Sequence, residues 1–166
     1  MRAAARPPKS LVREWFTGAA LALCLTLVLV ATMWPTPLDQ GYEGSIDRLL
    51  AVLHRNGVPE WFGYDKLEFS ANVLMFVPLG FLLSLLLPAK VWWLALLICP
   101  GLSIAIELAQ AALLSSRFAT VSDVVANSIG AIIGSLVAVS VRALVHSRDQ
   151  KIVARALWER NGAGPV

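Results

Sequence analysis

Four stretches of this chain carry no charged residue: 15–38, 69–89, 91–106 and, after Asp123, 124–141. A helix needs roughly 20 mostly apolar residues to cross the hydrocarbon of a bilayer. Irregular backbone and open strands cannot be left in lipid with unpaired amides. The reading is an all-α membrane protein, a four-helix transmembrane bundle with spans at about 15–34, 69–87, 92–113 and 121–145. Composition agrees, since 57% of the residues are hydrophobic and only 15% charged, against about 25% charged in soluble domains.

Charge sets the orientation. Arg2, Arg6, Lys9 and Arg13 precede the first span, Lys90 lies between the second and third, and Arg142, Arg148, Lys151, Arg155 and Arg160 follow the fourth. The other side receives Arg48, Arg55, Lys66 and Arg117. A ten-against-four split of basic residues predicts N-in and C-in. On that reading 1–14 and 146–166 are cytoplasmic basic tails, 15–145 is one membrane domain, and 35–67 is an outer interfacial segment. A net charge of +3 with no basic stripe argues against nucleic acid as a partner. The leader is read as an uncleaved span, because its apolar run is longer than a signal peptide's 7–15 residues. Cys24 and Cys99 fall inside spans and read as small packing residues. His54 and His146 are too far apart in topology to share a metal, and the sequence implies no cofactor.

The outer segment holds its own helix. Ile46, Leu49, Leu50 and Leu53 recur at i, i+3, i+4 and i+7, between Ser45 as the predicted N-cap and Gly57 as the stop. Such an amphipathic helix suits the headgroup plane. With Trp61, Phe62 and Tyr64 it is expected either to roof the polar residues below or to pack on helix ends. The first span, anchored by Trp15 and Trp34, reads as a plain lipid-facing helix. Pro78 with Gly80, and Pro100 with Gly101, predict kinks in the second and third spans. Ser122, Ala126, Gly130 and Gly134 recur every four residues, a face that lets another backbone come close. That backbone belongs to the second or third span or to a second copy of the chain. The segment after Val145 is basic and mildly amphipathic, suited to the inner leaflet or to solvent.

Only Glu107, Arg117 and Asp123 are charged between Lys90 and Arg142. Ser103, Glu107 and Gln110 share one helical face, as do Asp123, Asn127 and Gly130. At 1.5 Å per residue Glu107 lies about 9 Å inside the outer end of its span, and Asn72, Asp123 and Asn127 fall in the same third. Ionisable groups are costly in lipid and normally face a protein interior or wet cavity, where they mark function. The candidate polar pocket is therefore Asn72, Glu107, Gln110, Arg117, Asp123 and Asn127, supported by packing residues Pro78, Gly80, Gly130 and Gly134.

Three motifs in order, NVLMFVPLGFLL at 72–83, IELAQ at 106–110 and R-x5-D-x3-N-x2-G-x3-G from Arg117, resemble the VanZ-like family. Its members are small bacterial membrane proteins, and its founding member is associated with teicoplanin resistance. The resemblance covers about 65–136 and marks Asn72, Pro78, Gly80, Glu107, Gln110, Arg117, Asp123, Asn127 and Gly130. Many members are more acidic between the arginine and the aspartate, where this chain has Thr120 and Ser122. The resemblance implies a multi-pass protein of the bacterial plasma membrane and a role in the cell envelope.

Three function classes follow. In the first, the chain is a non-catalytic envelope factor that binds a membrane lipid, a lipid-linked wall precursor or a lipoglycopeptide. In the second, it is an intramembrane enzyme with Glu107 and Asp123 as acid and base and Arg117 on a phosphate. Paired carboxylates alone are a loose signature of such chemistry, so the residues weigh towards the first. In the third, the polar groups only tie helices together.

Overall fold

A computed structural model describes residues 11–34, 41–114 and 120–162. The order is α1 (Leu11–Met33), α2 (Glu43–Arg55), α3 (Tyr64–Leu86), a short 3₁₀ turn (Trp92–Leu94), α4 (Ala95–Leu113) and α5 (Val121–Gly162). Every element among the described residues is helical. Four helices are long and apolar enough to cross a membrane: α1, α3, the 3₁₀ turn with α4, and α5.

The helices are longer than the uncharged runs. α3 begins at Tyr64 and takes in Asp65, Lys66 and Glu68 as a polar first turn. α5 has 42 residues and continues unbroken to Gly162. At 1.5 Å per residue that is about 63 Å, twice the ~30 Å hydrocarbon thickness. All the residues of α5 beyond Val145 whose side chains are described are exposed, so its last turns project past the bundle.

α3 and α5 form the tightest pair, with α4 against α5 and α1 against α3. The reason is an absence of side chains. A Cβ built on Gly130 would land on the carbonyl oxygen of Val73, one on Gly134 on that of Val77, and one on Gly80 on the backbone of Ala131. The small-residue face of the fourth span thus docks on the second span within one chain. Ala126, Ala131, Ser135 and Ala138 share this seam and are buried, whereas Ser122 is exposed in the first turn of α5. Within the seam Ser84 Oγ donates to Ser135 Oγ at 2.9 Å, and Ser135 Oγ reaches the Gly80 carbonyl at 3.4 Å.

The apolar core is Val28, Phe76, Leu79, Cys99, Ile106 and Ala131, so all four long helices contribute to it. α1 is more than a lipid-facing anchor: Leu21, Cys24, Leu25, Val28 and Met33 pack on this core, and its other faces are exposed. Both cysteines are free, Cys99 buried and Cys24 beside the core, as packing residues. Pro78 and Pro100 lie inside continuous helices.

α2 begins two residues before the predicted cap. Tyr42 occupies the N-cap position without a side-chain hydrogen bond, and Ser45 lies within the helix. The Glu43 carboxylate accepts the Gly41 N–H at 3.2 Å instead. Gly57 follows the helix with φ +94°, a left-handed conformation that glycine adopts without steric cost. α2 has no buried residue, and His54 Nε2 bonds the Phe62 carbonyl at 3.1 Å, holding the helix to its own following turn.

Candidate functional site

Polar side chains from three of the long helices, and a carbonyl from the fourth, meet at the bundle end nearest α2. On α4, Ser103, Glu107 and Gln110 are all buried, in keeping with their shared face. On α5, Asn127 is 3% exposed and Asp123 half-buried. On α3, Asn72 is half-buried.

Their hydrogen bonds link the helices pairwise. Asn72 Nδ2 donates to Asp123 Oδ1 at 2.8 Å, joining α3 to α5. Asn127 Nδ2 donates to Ser103 Oγ at 2.9 Å, joining α5 to α4. Gln110 Nε2 donates to the Thr32 carbonyl at 2.7 Å, joining α4 to α1. That carbonyl lies in the last turn of α1, where backbone acceptors run out of intrahelical donors.

Glu107 is tied to the start of α5. Its Oε2 accepts the Thr120 N–H at 2.9 Å, and the Thr120 hydroxyl accepts the Asp123 N–H at 3.1 Å. Thr120 therefore acts as the N-cap of α5, the role for which a threonine before a helix is suited. A carboxylate at this position also meets the positive end of the α5 dipole. Five of the six predicted pocket residues, Asn72, Glu107, Gln110, Asp123 and Asn127, are brought to this one end. The sixth, Arg117, lies outside the described residues.

One atom breaks the pattern. Asn127 Oδ1 is fully buried and has no hydrogen-bond donor among the described residues. An acceptor left in that condition costs about 1–3 kcal/mol, which is why such atoms are rare in native interiors. Because Ser103 bonds only one end of the amide, turning the side chain over would leave the other end in the same state. The cluster thus holds a buried, uncommitted polar position one turn below Asp123.

Sequence reasoning did not identify Thr32 or the backbone of Thr120 as members of the cluster. A main-chain carbonyl or N–H has no residue signature. A cavity of about 370 Å³ around Arg13, Glu14 and Arg142, and an open depression along α1, lie at the opposite end of the bundle.

The family model described as VanZ/LLP1 matches residues 19–143. The match reaches further than the three sequence motifs, taking in most of α1, all of α2 and α5 as far as the bundle extends. No curated protein and no solved structure matches the chain.

Proposed function

The chain belongs to the VanZ/LLP1 family, and from that membership we propose that this multi-pass membrane protein is a non-catalytic cell-envelope factor whose polar cluster receives a membrane-embedded ligand. The ligand class is the polar head of a lipid, a lipid-linked wall precursor or an acyl-bearing glycopeptide, and the phenotype is tolerance to teicoplanin-type glycopeptides. The observation that carries the reading is Asn127 Oδ1, beside Ser103, which among the described residues is the one fully buried side-chain polar atom without a hydrogen-bond partner. A hydroxyl or amide of a ligand would supply the missing donor.

The carboxylates favour binding over catalysis. Glu107 accepts a backbone N–H and Asp123 an amide N–H, so each carboxylate has a positioning partner. The ten-against-four split of basic residues supports an extracytoplasmic position for this end. A C-terminal reporter fusion should be active only in the cytoplasm; activity outside would overturn that orientation.

A second reading has its own support. Asn72, Ser103, Gln110 and Glu107 each bond a group on another segment, which is what a purely structural set of interhelical ties would do. Co-purification separates the two. The parent protein should carry a specific lipid, wall precursor or added glycopeptide, detected by native mass spectrometry, and Asn127→Leu and Glu107→Ala should lose it. A parent that holds only bulk lipid and binds no added glycopeptide would leave the structural reading.

A further inference from the structure

At the end of the bundle that carries both termini, the chain builds a polar feature unrelated to the cluster above. A cavity of about 370 Å³ opens between the first turns of α1 and the turn after α3, lined by Arg13, Glu14, Thr17, Leu86, Pro88 and Arg142. Arg142 enters from α5 and donates twice from Nη2, to the carbonyls of Leu85 at 2.5 Å and Leu87 at 2.7 Å. These acceptors belong to the last turn and C-cap of α3, where carbonyls lack intrahelical donors and the helix dipole favours a cation. A guanidinium has five N–H groups, so Nε and Nη1 remain for another acceptor.

A second, open depression shares Glu14 with the first and is lined by α1 alone, over the outward face of Trp15, Gly18, Ala19 and Ala22. Small residues at 18, 19 and 22 remove side-chain bulk from one stripe of the helix and leave an apolar trough. Both arginines lie within two residues of the uncharged runs 15–38 and 124–141, at the depth of lipid headgroups.

We infer that the cavity and the depression together hold one anionic glycerophospholipid, its phosphate between Arg13 and Arg142 and an acyl chain in the α1 trough. Two guanidiniums and one carboxylate leave the site with a net positive charge that a phosphodiester neutralises. Guanidinium geometry also matches phosphate oxygens in pairs. Glu14, between the cavity and the depression, accepts from a headgroup hydroxyl. Basic pockets between spans on the cytoplasmic side are a recurrent setting for anionic lipid heads. The depth of both arginines at the headgroups, next to an apolar stripe of α1, makes a lipid a better complement than a free phosphate.

The test uses the purified full chain in non-ionic detergent, with thermal unfolding and native mass spectrometry as readouts. Added phosphatidylglycerol should bind and raise the unfolding midpoint, while phosphatidylcholine with the same chains and inorganic phosphate should do neither. Arg13→Gln leaves the Arg142 bonds to α3 in place and should weaken phosphatidylglycerol binding about five-fold. Ala22→Leu fills the trough and should weaken binding of long-chain phosphatidylglycerol but not of its dihexanoyl form. Equal binding of the two long-chain lipids, or an Arg13→Gln protein indistinguishable from the parent, would overturn the inference. Inorganic phosphate reproducing the whole shift would replace the lipid with a simple anion and overturn it equally.

Discussion

Along the α3–α5 seam, polar groups are two serine hydroxyls that satisfy one another, set among glycines and alanines. At the α2 end of the same two helices, the polar groups are amides and carboxylates, and one buried acceptor has no donor among the described residues. Both regions pull helices together, but only the seam is complete in itself. A hydroxyl pair adds little that burial of small residues has not already achieved. Two carboxylates within helices that cross lipid are a costly way to obtain the same packing, a cost that the proposed ligand would account for.

The comparison is broken most violently at the seam. Gly130→Leu must drive α3 and α5 apart, since even a Cβ would sit on the Val73 carbonyl oxygen. A loss of about 3 kcal/mol, the upper end of overpacking costs, is expected. Unfolding in detergent followed by circular dichroism would show it, with Gly101→Ala as the control. A Cβ on Gly101 meets open space, so that variant should unfold with the parent.

Breaking the cluster should cost less. Asn72→Leu removes the donor to Asp123 Oδ1 and leaves a half-buried carboxylate without that partner. About 2 kcal/mol is expected from the same measurement. Asp123→Asn together with Asn72→Asp restores an amide–carboxylate pair across α3 and α5 and should recover much of that loss.

The smallest effect belongs to the serine pair. Ser135→Ala removes the acceptor of Ser84 and the long contact to Gly80. Interhelical hydrogen bonds in membranes average about 0.6 kcal/mol, and this variant should fall near that value. Glycopeptide tolerance of cells carrying it should equal that of the parent. A large loss of tolerance at unchanged stability would move function into the seam and erase the contrast.

How much of this could be read beforehand depended on whether a feature lives in side chains. The spans follow from uncharged runs, and the close approach of α5 follows from the spacing of Gly130 and Gly134. Glu107, Asp123 and Asn127 stand out because polar residues are rare where they sit. Gln110 bonds a backbone carbonyl on α1 and Glu107 accepts a backbone N–H, and neither contact could be read from residue types. The start of α2 was misplaced because Glu43, not Ser45, holds the turn before it. The length of α5 beyond Val145 was open for a different reason: a weakly amphipathic basic segment fits a solvated helix and a surface-bound one equally well.

Glu107 gives the most direct measurement of whether the cluster acts on a ligand. Glu107→Gln keeps an oxygen that can accept the Thr120 N–H and preserves the size of the side chain, but removes the charge. Glu107→Ala removes both. Glycopeptide tolerance in a sensitised host would be measured beside membrane abundance for the parent and the two variants. If the cluster receives a ligand, the glutamine variant should lose tolerance nearly as fully as the alanine variant while its abundance stays at the parent level. A glutamine variant with full tolerance at normal abundance would contradict this, because a neutral tie between α4 and the start of α5 would then be all that Glu107 provides.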